Sequence, residues 1–547
     1  MAAQAAEAKF ESRNPATDEV VGTFAVMSAD EVAAAVRSAR SARSAWQAAG
    51  FAGRRAALLR WAAWLAAHEH EIVDLVHAEN GKPAIAARLE LLLTCEHIRW
   101  AARNARPVLR ERRVRTTALM IDYAARVGYL PYGVVGVIGP WNYPLLTPTG
   151  SLAYALAAGN TVVFKPSELT SALGLLLVEG FTAANPELPD GVLVGVTGGG
   201  ETGTALCRAG VDKIAFTGSG ATARKVLATC AATLTPVVAE CGGKDAAIVA
   251  EDADIAAAAR MVAWGAASNA GQTCAGVERV YVVAGVRDAF LTELGRQLAD
   301  VRPGSDPQAA YGPMTMPGQA DVVRRHVADA LARGGSALLG GPQAVRGRFV
   351  DPIVLVDVPE DSAAVQEETF GPTMTVRTVA DVDEAVALAN DSRYGLGAAV
   401  FSRARGGEIA GRLDAGMVSV NSVLSFAAIP ALPFGGRGES GFGRIHGADG
   451  LREFARPRSV AARRPGVRGL DVTRFDPYPG TSAVLRAALR VRHRGAPTTG
   501  STTGTTMDGA TGTTAGSVTG TTAGSPAGTM AGGAAGRLLR RVRAARR

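Results

Sequence analysis

One cysteine stands in a setting suited to covalent chemistry. Cys274 closes the segment Asn269-Ala270-Gly271-Gln272-Thr273-Cys274, in which a glycine and small polar residues precede the thiol. At a loop or a helix start, backbone N–H groups lower the pKa of a thiol and favour the nucleophilic thiolate. A lone cysteine is more often a small buried hydrophobe, so the residues that accompany Cys274 decide whether it is a candidate nucleophile.

Those companions follow short β-branched runs that predict strands. Glu240 ends the run PVVAE, and Asn142 lies between two prolines just past another run. Ligands collect at the carboxyl ends of strands in open α/β folds, where a carboxylate suits a general base and a stiffened amide suits an oxyanion donor. Lys165 and Glu168 follow a third run and are placed to bracket a ribose. Each of these residues taken singly also fits a solvated turn.

The segment Gly198-Gly199-Gly200-Glu201-Thr202-Gly203 satisfies the pattern GxGxxG after a predicted strand. In a chain with 65 glycines such matches arise by chance. The segment also follows a later strand, whereas the dinucleotide fingerprint normally occupies the first strand–helix turn. We therefore do not expect it to be the pyrophosphate site.

Composition and charge exclude several classes of protein. The chain has 547 residues, 47% hydrophobic and 20% charged, as in folded globular proteins. Six arginines in Arg537–Arg547 account for most of the net charge of +8 and leave a nearly neutral remainder. This balance argues against nucleic-acid binding. A weaker alternative is contact of the Arg537–Arg547 segment with an anionic membrane surface.

The five cysteines are scattered, odd in number and without a CxxC pair, which favours a reducing cytoplasmic location and argues against disulfides or zinc. The N-terminus shows no signal-peptide pattern. His68 and His70 are expected on different faces of one helix, so no metal site is predicted.

Periodicity predicts the elements that must position the candidate residues. Asp30 to about Ala78 has helical spacing and is stopped by Asn80-Gly81-Lys82-Pro83. After Arg126, strands alternate with short helices such as Ser151–Ala158, which indicates a doubly wound, Rossmann-like parallel sheet. A second alternating stretch from about Ala246 to Phe426 predicts a second α/β domain.

The sequence resembles the aldehyde dehydrogenase superfamily from about Asn14 to Pro457. Seven motifs occur in the family's order: PWNYPL, VVFKPSELT, FTGS, ECGGK, NAGQTC, EETFGP and PFGGRGESGFGR. The resemblance implies that Cys274 is the nucleophile and Glu240 the general base. It also implies that Asn142 and the backbone N–H of Cys274 form the oxyanion hole. The implied reaction is oxidation of an aldehyde to the acid through a thiohemiacetal and a thioester.

The resemblance further implies a nicotinamide cofactor held by Trp141, Lys165, Glu168, Gly218, Ser219, Glu368 and Phe370. Lys165 and Glu168 would hold the adenosine ribose, Ser219 the pyrophosphate, and Glu368 and Phe370 the nicotinamide ribose and ring. Because Glu168 should accept from a ribose 2′-OH and repel a 2′-phosphate, NAD is expected and NADP is the weaker alternative.

The family architecture implies an oligomerisation arm and a homodimer or homotetramer. The expected segments are an NAD-binding domain (1–242, with an arm hairpin near 110–128), a catalytic domain (243–440), an oligomerisation segment (441–462), a C-terminal extension (463–495), a disordered Gly/Thr/Ala-rich linker (496–536) and a basic segment (537–547). The linker expectation rests on composition, because such a segment buries too little apolar area to offset its ordering entropy.

The sequence departs from the family at a few positions. Ala223 replaces a glycine of the FTGS turn, and Cys241 stands where leucine is commoner. Gly150 and Ser151 stand where succinic semialdehyde dehydrogenases tend to have an Arg and a Lys. That change removes the expected counter-ion of a carboxylate substrate, and the apolar loop 422–430 should line the substrate mouth. Aliphatic or aromatic aldehydes are therefore favoured.

Three alternatives remain open. A succinic semialdehyde or betaine aldehyde specificity would keep the same chemistry. A CoA-acylating enzyme is disfavoured by Glu240, since that branch generally lacks the hydrolytic carboxylate. A non-catalytic scaffold that binds anionic surfaces through its Arg-rich tail is disfavoured by the intact set of Cys274, Glu240 and Asn142.

Overall fold

A computed structural model describes residues 8–467, 475 and 480–493. The described residues fall into two units, with 8–467 in the first and 475 and 480–493 in the second. The first unit opens with a hairpin and four helices: β1 (Lys9–Arg13), β2 (Val20–Ala25), α1 (Ala29–Ala48), α2 (Gly50–Ala67), α3 (Glu69–Asn80) and α4 (Ala84–Leu109).

The long helical stretch that the sequence predicts from Asp30 to about Ala78 is three helices. α1 begins with a capping box, in which Ser28 and Glu31 bond each other's backbone N–H groups. His68 falls in the break between α2 and α3, so the expectation that it shares one helix with His70 is wrong. The predicted stop is confirmed, because α3 ends at Gly81 in the left-handed conformation (φ 77°).

The next segment alternates strands with helices. Its elements are β3 (Arg112–Val114), β4 (Tyr123–Pro131), β5 (Val134–Ile138), α5 (Leu146–Ala158), β6 (Thr161–Lys165), α6 (Ser171–Ala183), β7 (Leu193–Gly195), α7 (Gly200–Arg208), β8 (Lys213–Thr217), α8 (Gly220–Ala231) and β9 (Val237–Glu240). Five of these strands pair in parallel in the order β9-β8-β5-β6-β7. The strand order reverses between β5 and β8, where open α/β sheets bind their ligands.

A second α/β segment follows. Its elements are β10 (Asp245–Val249), α9 (Ile255–Ala267), β11 (Val277–Val283), α10 (Arg287–Leu298), α11 (Gln319–Ala332), β12 (Ser336–Leu339), β13 (Val345–Arg346), β14 (Phe349–Val350), β15 (Ile353–Val356), α12 (Ala363–Gln366), β16 (Thr373–Val379), α13 (Val382–Asn390), β17 (Gly397–Phe401), α14 (Gly406–Ala410), β18 (Met417–Val420) and α15 (Ser425–Ala428). Seven strands form one sheet in the order β12-β15-β16-β11-β10-β17-β18, antiparallel only at the β12 edge. The predicted class, two α/β sheets with the first Rossmann-like, is confirmed.

Alternate residues of the second sheet's strands enter two different cores, as burial on both faces requires. Val280 and Val282 of β11 pack in one cluster, and Tyr281 and Val283 in the other. Since β10 and β11 lie at the centre of this sheet, the chain just before β11, which carries Cys274, is held on a rigid support.

The last elements of the first unit return to earlier strands: β19 (Gly441–Phe442), α16 (Gly447–Glu453) and β20 (Ala455–Arg463). β19 adds an antiparallel edge beside β9, and β20 pairs with β4 over nine residues. The sheet β20-β4-β3 therefore unites the hairpin expected near 110–128 with the segment after 441.

In the second unit the structure describes one helix, α17 (Thr481–His493). The predicted linker (496–536) and basic segment (537–547) lie outside the described residues. Among the described helices, none has the length and apolar character needed to cross a bilayer.

Candidate active site

Cys274 and Glu240 lie in contact, although 34 positions separate them along the chain. The thiol donates to Oε1 of Glu240 at 3.5 Å, and Thr217 donates to Oε2 at 3.2 Å. Glu240 is the last residue of β9, so its carboxylate projects at the carboxyl edge of the first sheet. The structure thus brings together the two residues that the sequence pattern indicates as nucleophile and base.

The electrostatics of this pair differ from the sequence expectation. Burial, and then the nearby carboxylates of Glu240, Glu368 and Asp245, raise the pKa of the Cys274 thiol well above its ordinary value. The expectation that backbone N–H groups lower this pKa is wrong, because the acidic neighbours and desolvation dominate. Burial also raises the pKa of Glu240 to about 7. Before substrate binds, the pair is therefore a protonated thiol beside a carboxyl group whose pKa lies near neutral pH.

The loop before Cys274 is wound in the left-handed region. Asn269, Ala270 and Gly271 have φ of 54°, 56° and 69°, a run that costs energy in non-glycine residues. A Cβ at Gly271 would lie 2.0 Å from the carbonyl oxygen of Gly371. The glycine of the NAGQTC motif is thus required both by backbone conformation and by close packing on the EETFGP segment.

Asn142 is buried beside this loop, and its side chain hydrogen-bonds to the backbone of the loop. Its Nδ2 donates to the carbonyl of Gln272 at 3.0 Å, and its own carbonyl accepts from Nδ2 of Asn269 at 3.0 Å. An amide nitrogen carries two N–H groups, so one remains beyond the bond to Gln272. Tyr143 also joins the two loops, through a 2.9 Å hydrogen bond to Thr273.

Two buried charges that the sequence pattern does not single out anchor the Asn142 loop. Lys82 and Glu90 form an ion pair with both side chains about 1% exposed. Lys82 also donates to the carbonyl of Asn142 at 2.7 Å, and Glu90 accepts from the backbone N–H groups of Leu145 and Leu146. The NGKP segment predicts a helix stop whether or not its lysine is buried. The local sequence therefore does not reveal the buried ion pair of Lys82.

A cleft of about 1060 Å³ lies at the carboxyl ends of β5, β6 and β8, at the reversal of strand order. Five of the predicted cofactor residues line it: Trp141, Lys165, Glu168, Gly218 and Ser219. Gly199, Gly200 and Gly203 of the GxGxxG segment line it as well, at the start of α7.

The cleft offers groups suited to a dinucleotide. Ser219 caps α8, so the positive end of that helix faces the cleft. Lys165 is buried and lies 3.6 Å from the half-exposed carboxylate of Glu168. Ala223 lies inside α8 and donates to the carbonyl of Ser219 at 2.9 Å, so a glycine is not required there.

Glu368 and Phe370 are not in the lining of this cleft, and Glu368 lies close enough to Cys274 for its charge to affect the thiol. Glu368 accepts from the backbone N–H of Gly243 at 3.2 Å, and burial, followed by repulsion from Glu278, raises its pKa to about 8. A Cβ at Gly242 would lie 2.1 Å from the Glu368 carboxylate. Phe370 packs edge-on against Trp141, with ring centroids 5.5 Å apart, and so approaches the wall of the cleft.

A second buried ion pair fixes the EETFGP segment. Lys244 pairs with Glu278 of β11, and Glu278 accepts the backbone N–H groups of Thr369 and Phe370. Lys244 belongs to the ECGGK motif, but the sequence of that motif does not by itself indicate a role for this lysine. Glu278 lies in a strand that reads as buried and apolar, and its role depends on a partner 91 residues away.

A smaller cavity of about 340 Å³ opens on the other side of Cys274 and Glu240. Most of its lining is apolar or aromatic, including Ile85, Leu89 and Trp264, which are strongly exposed at 73%, 44% and 48%. The loop 422–430 contributes Val423, Leu424, Ser425, Ala427 and Ala428. The loop 422–430 therefore lines the cavity that adjoins Cys274, and the expectation that this cavity is the substrate mouth stays a prediction.

Among the described residues the five cysteines are free, and no cluster of three or more metal-binding side chains occurs. Burial and the adjacent Glu240 raise the pKa of Cys241 to about 12, which fits a small buried hydrophobe better than a reactive thiol.

The fold and the site define an α/β oxidoreductase, and comparison with known proteins places it more closely. The family model described as aldehyde dehydrogenase family matches residues 2–460. A 4,4'-diapolycopene aldehyde oxidase of Methylomonas sp is 40% identical, covering 72% of this chain and 74% of its own. A putative succinate-semialdehyde dehydrogenase [NADP(+)] of Mycolicibacterium smegmatis is 36% identical, covering 86% and 90%.

Solved structures agree. An NAD-dependent aldehyde dehydrogenase from Sinorhizobium meliloti superposes with a TM-score of 0.80 at 34% identity, covering 84% of this chain and 92% of that one. The chain belongs to the aldehyde dehydrogenase family.

Proposed function

We propose that this protein oxidises an apolar aldehyde to the carboxylic acid with NAD⁺, through a thioester on Cys274. The observation that carries the proposal is the 3.5 Å contact between the Cys274 thiol and Glu240, with both residues in the lining of the apolar cavity. Thr217, which lines the large cleft, donates to the same carboxylate and so links the two cavities at the reacting pair.

The first step is attack on the aldehyde carbon. Because the pKa of Cys274 is raised, the thiol needs a base, and Glu240 is positioned to accept its proton as the S–C bond forms. The carbonyl π electrons move to oxygen and give a thiohemiacetal oxyanion. The free N–H of Asn142 and the backbone N–H of Cys274 are the proposed donors to it. This assigns Glu240 an earlier role in addition to the activation of water.

Collapse of the oxyanion expels a hydride and leaves the acyl group on the Cys274 sulfur. Bound NAD⁺ would supply the hydride acceptor. Glu240 releases the thiol proton to solvent and becomes a carboxylate again. It then removes a proton from water as the water oxygen attacks the thioester carbon. The C–S bond breaks, the carboxylic acid leaves, and the Cys274 thiolate takes the proton back from Glu240, which restores the thiol.

The residues of the cleft fit a dinucleotide. Ser219 at the N-terminus of α8 suits the pyrophosphate, and Glu168 beside Lys165 suits ribose hydroxyls. The half-exposed carboxylate of Glu168 would repel a 2′-phosphate, so NAD⁺ is the proposed cofactor, with NADP⁺ used less well. Relatives are named for each cofactor and do not decide between them.

The apolar cavity supports an aliphatic or aromatic aldehyde. Gly150 and Ser151 replace the cationic pair expected of succinic semialdehyde enzymes, and Lys82, which lines the cavity, is already paired with Glu90. A semialdehyde remains the second candidate, because a succinate-semialdehyde and a glutarate-semialdehyde dehydrogenase are among the relatives.

The proposal has two further parts. The first is assembly into a homodimer or homotetramer through the β20-β4-β3 sheet, and the second is a cytoplasmic location. The exposed edge strand β20 supports the first, and the free cysteines support the second.

NADH production measured across short-chain, long-chain, aromatic and carboxylate-bearing aldehydes tests this function. The highest kcat/KM is expected for an uncharged apolar aldehyde, and Cys274→Ala should abolish turnover with all of them. A clear preference for succinate or glutarate semialdehyde would transfer the assignment to the second candidate.

A further inference from the structure

A pair of buried imidazoles forms part of the wall of the apolar cavity, and the proposed reaction does not use it. His446 lies just before α16, is 3% exposed and lines the same cavity as Cys274. Its ring centroid is 3.9 Å from that of His97, a fully buried residue of α4. Such a pair inside an apolar cavity requires an explanation.

The hydrogen bonding of the two rings is incomplete. Nε2 of His97 lies 3.0 Å from the carbonyl of Ala427 and therefore carries the proton, which leaves Nδ1 as an acceptor. Neither nitrogen of His446, nor Nδ1 of His97, has a hydrogen-bond partner among the described residues. Since buried polar groups are normally paired, an imidazole on a cavity wall is suited to a hydrogen bond with a bound molecule.

The backbone of His446 is strained in a way that fixes this position. Its φ of 62° and ψ of 167° fall in a region that is essentially confined to glycine. The carbonyl of His446 accepts from Gly450 at 2.7 Å, and the following Gly447 donates to the carbonyl of Pro430. Strain of this kind persists where surrounding contacts over-determine it, and it concentrates at ligand-binding sites.

Gly150 makes room for the imidazole. A Cβ at this position of α5 would lie 2.4 Å from Nε2 of His446. The ring thus occupies the space beside the position where the related semialdehyde enzymes tend to carry an arginine.

We propose that His446 is a specificity-determining residue that hydrogen-bonds an uncharged oxygen substituent, preferably a hydroxyl group, on the aldehyde substrate. This inference rests on the proposed function. A neutral imidazole offers one donor and one acceptor, as a hydroxyl does. Burial, and then the neighbouring His97, hold the pKa of His446 well below its ordinary value, so the ring is not a counter-ion for a carboxylate.

Matched aldehydes test the inference: 4-hydroxybenzaldehyde against 4-methylbenzaldehyde, and 6-hydroxyhexanal against heptanal. The wild-type enzyme should favour the hydroxyl member of at least one pair in kcat/KM by roughly threefold to tenfold, the worth of one net hydrogen bond. His446→Leu should remove the preference and keep kcat/KM for the methyl member. His446→Asn, which restores a donor and an acceptor, should recover part of it.

Gly150→Ala provides a variant that keeps His446. The added methyl should displace the ring and weaken the hydroxyl preference, and it should have no further effect in the His446→Leu background. No preference in the wild-type enzyme, or an unchanged preference in both His446→Leu and Gly150→Ala, would overturn the inference. Failure to oxidise any of the four aldehydes would instead reject the proposed function, and the inference with it.

Discussion

At the scale of single residues, the chemistry depends on which partner of the Cys274–Glu240 pair holds the proton. The raised pKa of Cys274 keeps the sulfur protonated near neutrality, while Glu240, with a pKa of about 7, is divided between its two forms. Only the carboxylate form of Glu240 can accept the thiol proton. The protonation of Glu240 should therefore control the first chemical step.

A pH profile follows from this. The single-turnover rate of NADH formation should be low below pH 7 and should rise to a plateau above it, as Glu240 loses its proton. Glu240→Gln should lower the rate at neutral pH by about 10² to 10⁴, the usual cost of losing a general base. In that variant the rise should move to higher pH, where the thiol ionises unaided. An inflection near pH 7 that persists in Glu240→Gln would contradict the assignment.

Cofactor choice is also a single-residue question. Glu168→Gln keeps the size of the side chain and removes the charge, so kcat/KM for NADP⁺ relative to NAD⁺ should rise by roughly threefold to tenfold at low salt, since screening weakens a half-exposed charge. Glu201→Gln is the matched control, because Glu201 is a second carboxylate in the lining of the cleft. An equal change in both variants would show a general charge effect instead.

Position after predicted strands, together with the family resemblance, is sufficient to single out Cys274 and Glu240, which the structure brings into contact. The same information is not sufficient for Lys82, Glu278 or His446. The roles of these three depend on partners far away in sequence, and each occupies a position that also suits an ordinary loop or strand residue. Burial, which only the fold reveals, is what makes their polar groups significant.

At the scale of elements, the loop 269–274 illustrates how backbone conformation positions a nucleophile. Its left-handed turn packs against Gly371 and presents Cys274 to Glu240. The end of a helix is predictable where a glycine or proline stops it, as at Gly81, and less so where one helix follows another directly. The break at His68 has no glycine or proline, and the helical periodicity passes through it.

Two glycine substitutions separate a strained position from an unstrained one. Gly271→Ala should lower the free energy of unfolding by about 1 to 3 kcal/mol or more, the cost typical of a strained residue, because φ is 69° and the added methyl group meets Gly371. It should also reduce activity. Gly295→Ala, in α10 with no atom within 4 Å of the new Cβ, should instead stabilise by about 0.5 to 1 kcal/mol. Urea unfolding measures both. A neutral Gly271→Ala would show that the turn tolerates rearrangement.

At the scale of the whole molecule, the β20-β4-β3 sheet has an exposed edge that no other element of this chain covers among the described residues. β20 pairs with β4 along one edge and presents a nine-residue, almost wholly exposed strand along the other. Exposed edges of this length are normally covered. The sheet is expected from the family resemblance, and nothing in its composition distinguishes it from other hairpins.

Proline substitutions at Ser459 and Val460 test the proposed assembly. In an antiparallel pair, adjacent residues direct their N–H groups to opposite edges, so one proline interrupts β4 pairing and the other interrupts only the outer edge. Sedimentation of the wild-type chain should give a dimer or tetramer. The outer-edge proline should shift the equilibrium toward monomer with the fold retained. A monomeric wild-type protein would contradict the proposal.

The central claim is that the oxidised substrate passes through a bond to Cys274. The protein is mixed with aldehyde and NAD⁺, quenched in acid during the first turnover, and the peptide containing Cys274 is weighed by mass spectrometry. The account predicts an added mass equal to the aldehyde less two hydrogens, formed in step with NADH, and no adduct or NADH in Cys274→Ala. NADH formation without an adduct on this peptide, or turnover that survives in Cys274→Ala, would contradict it.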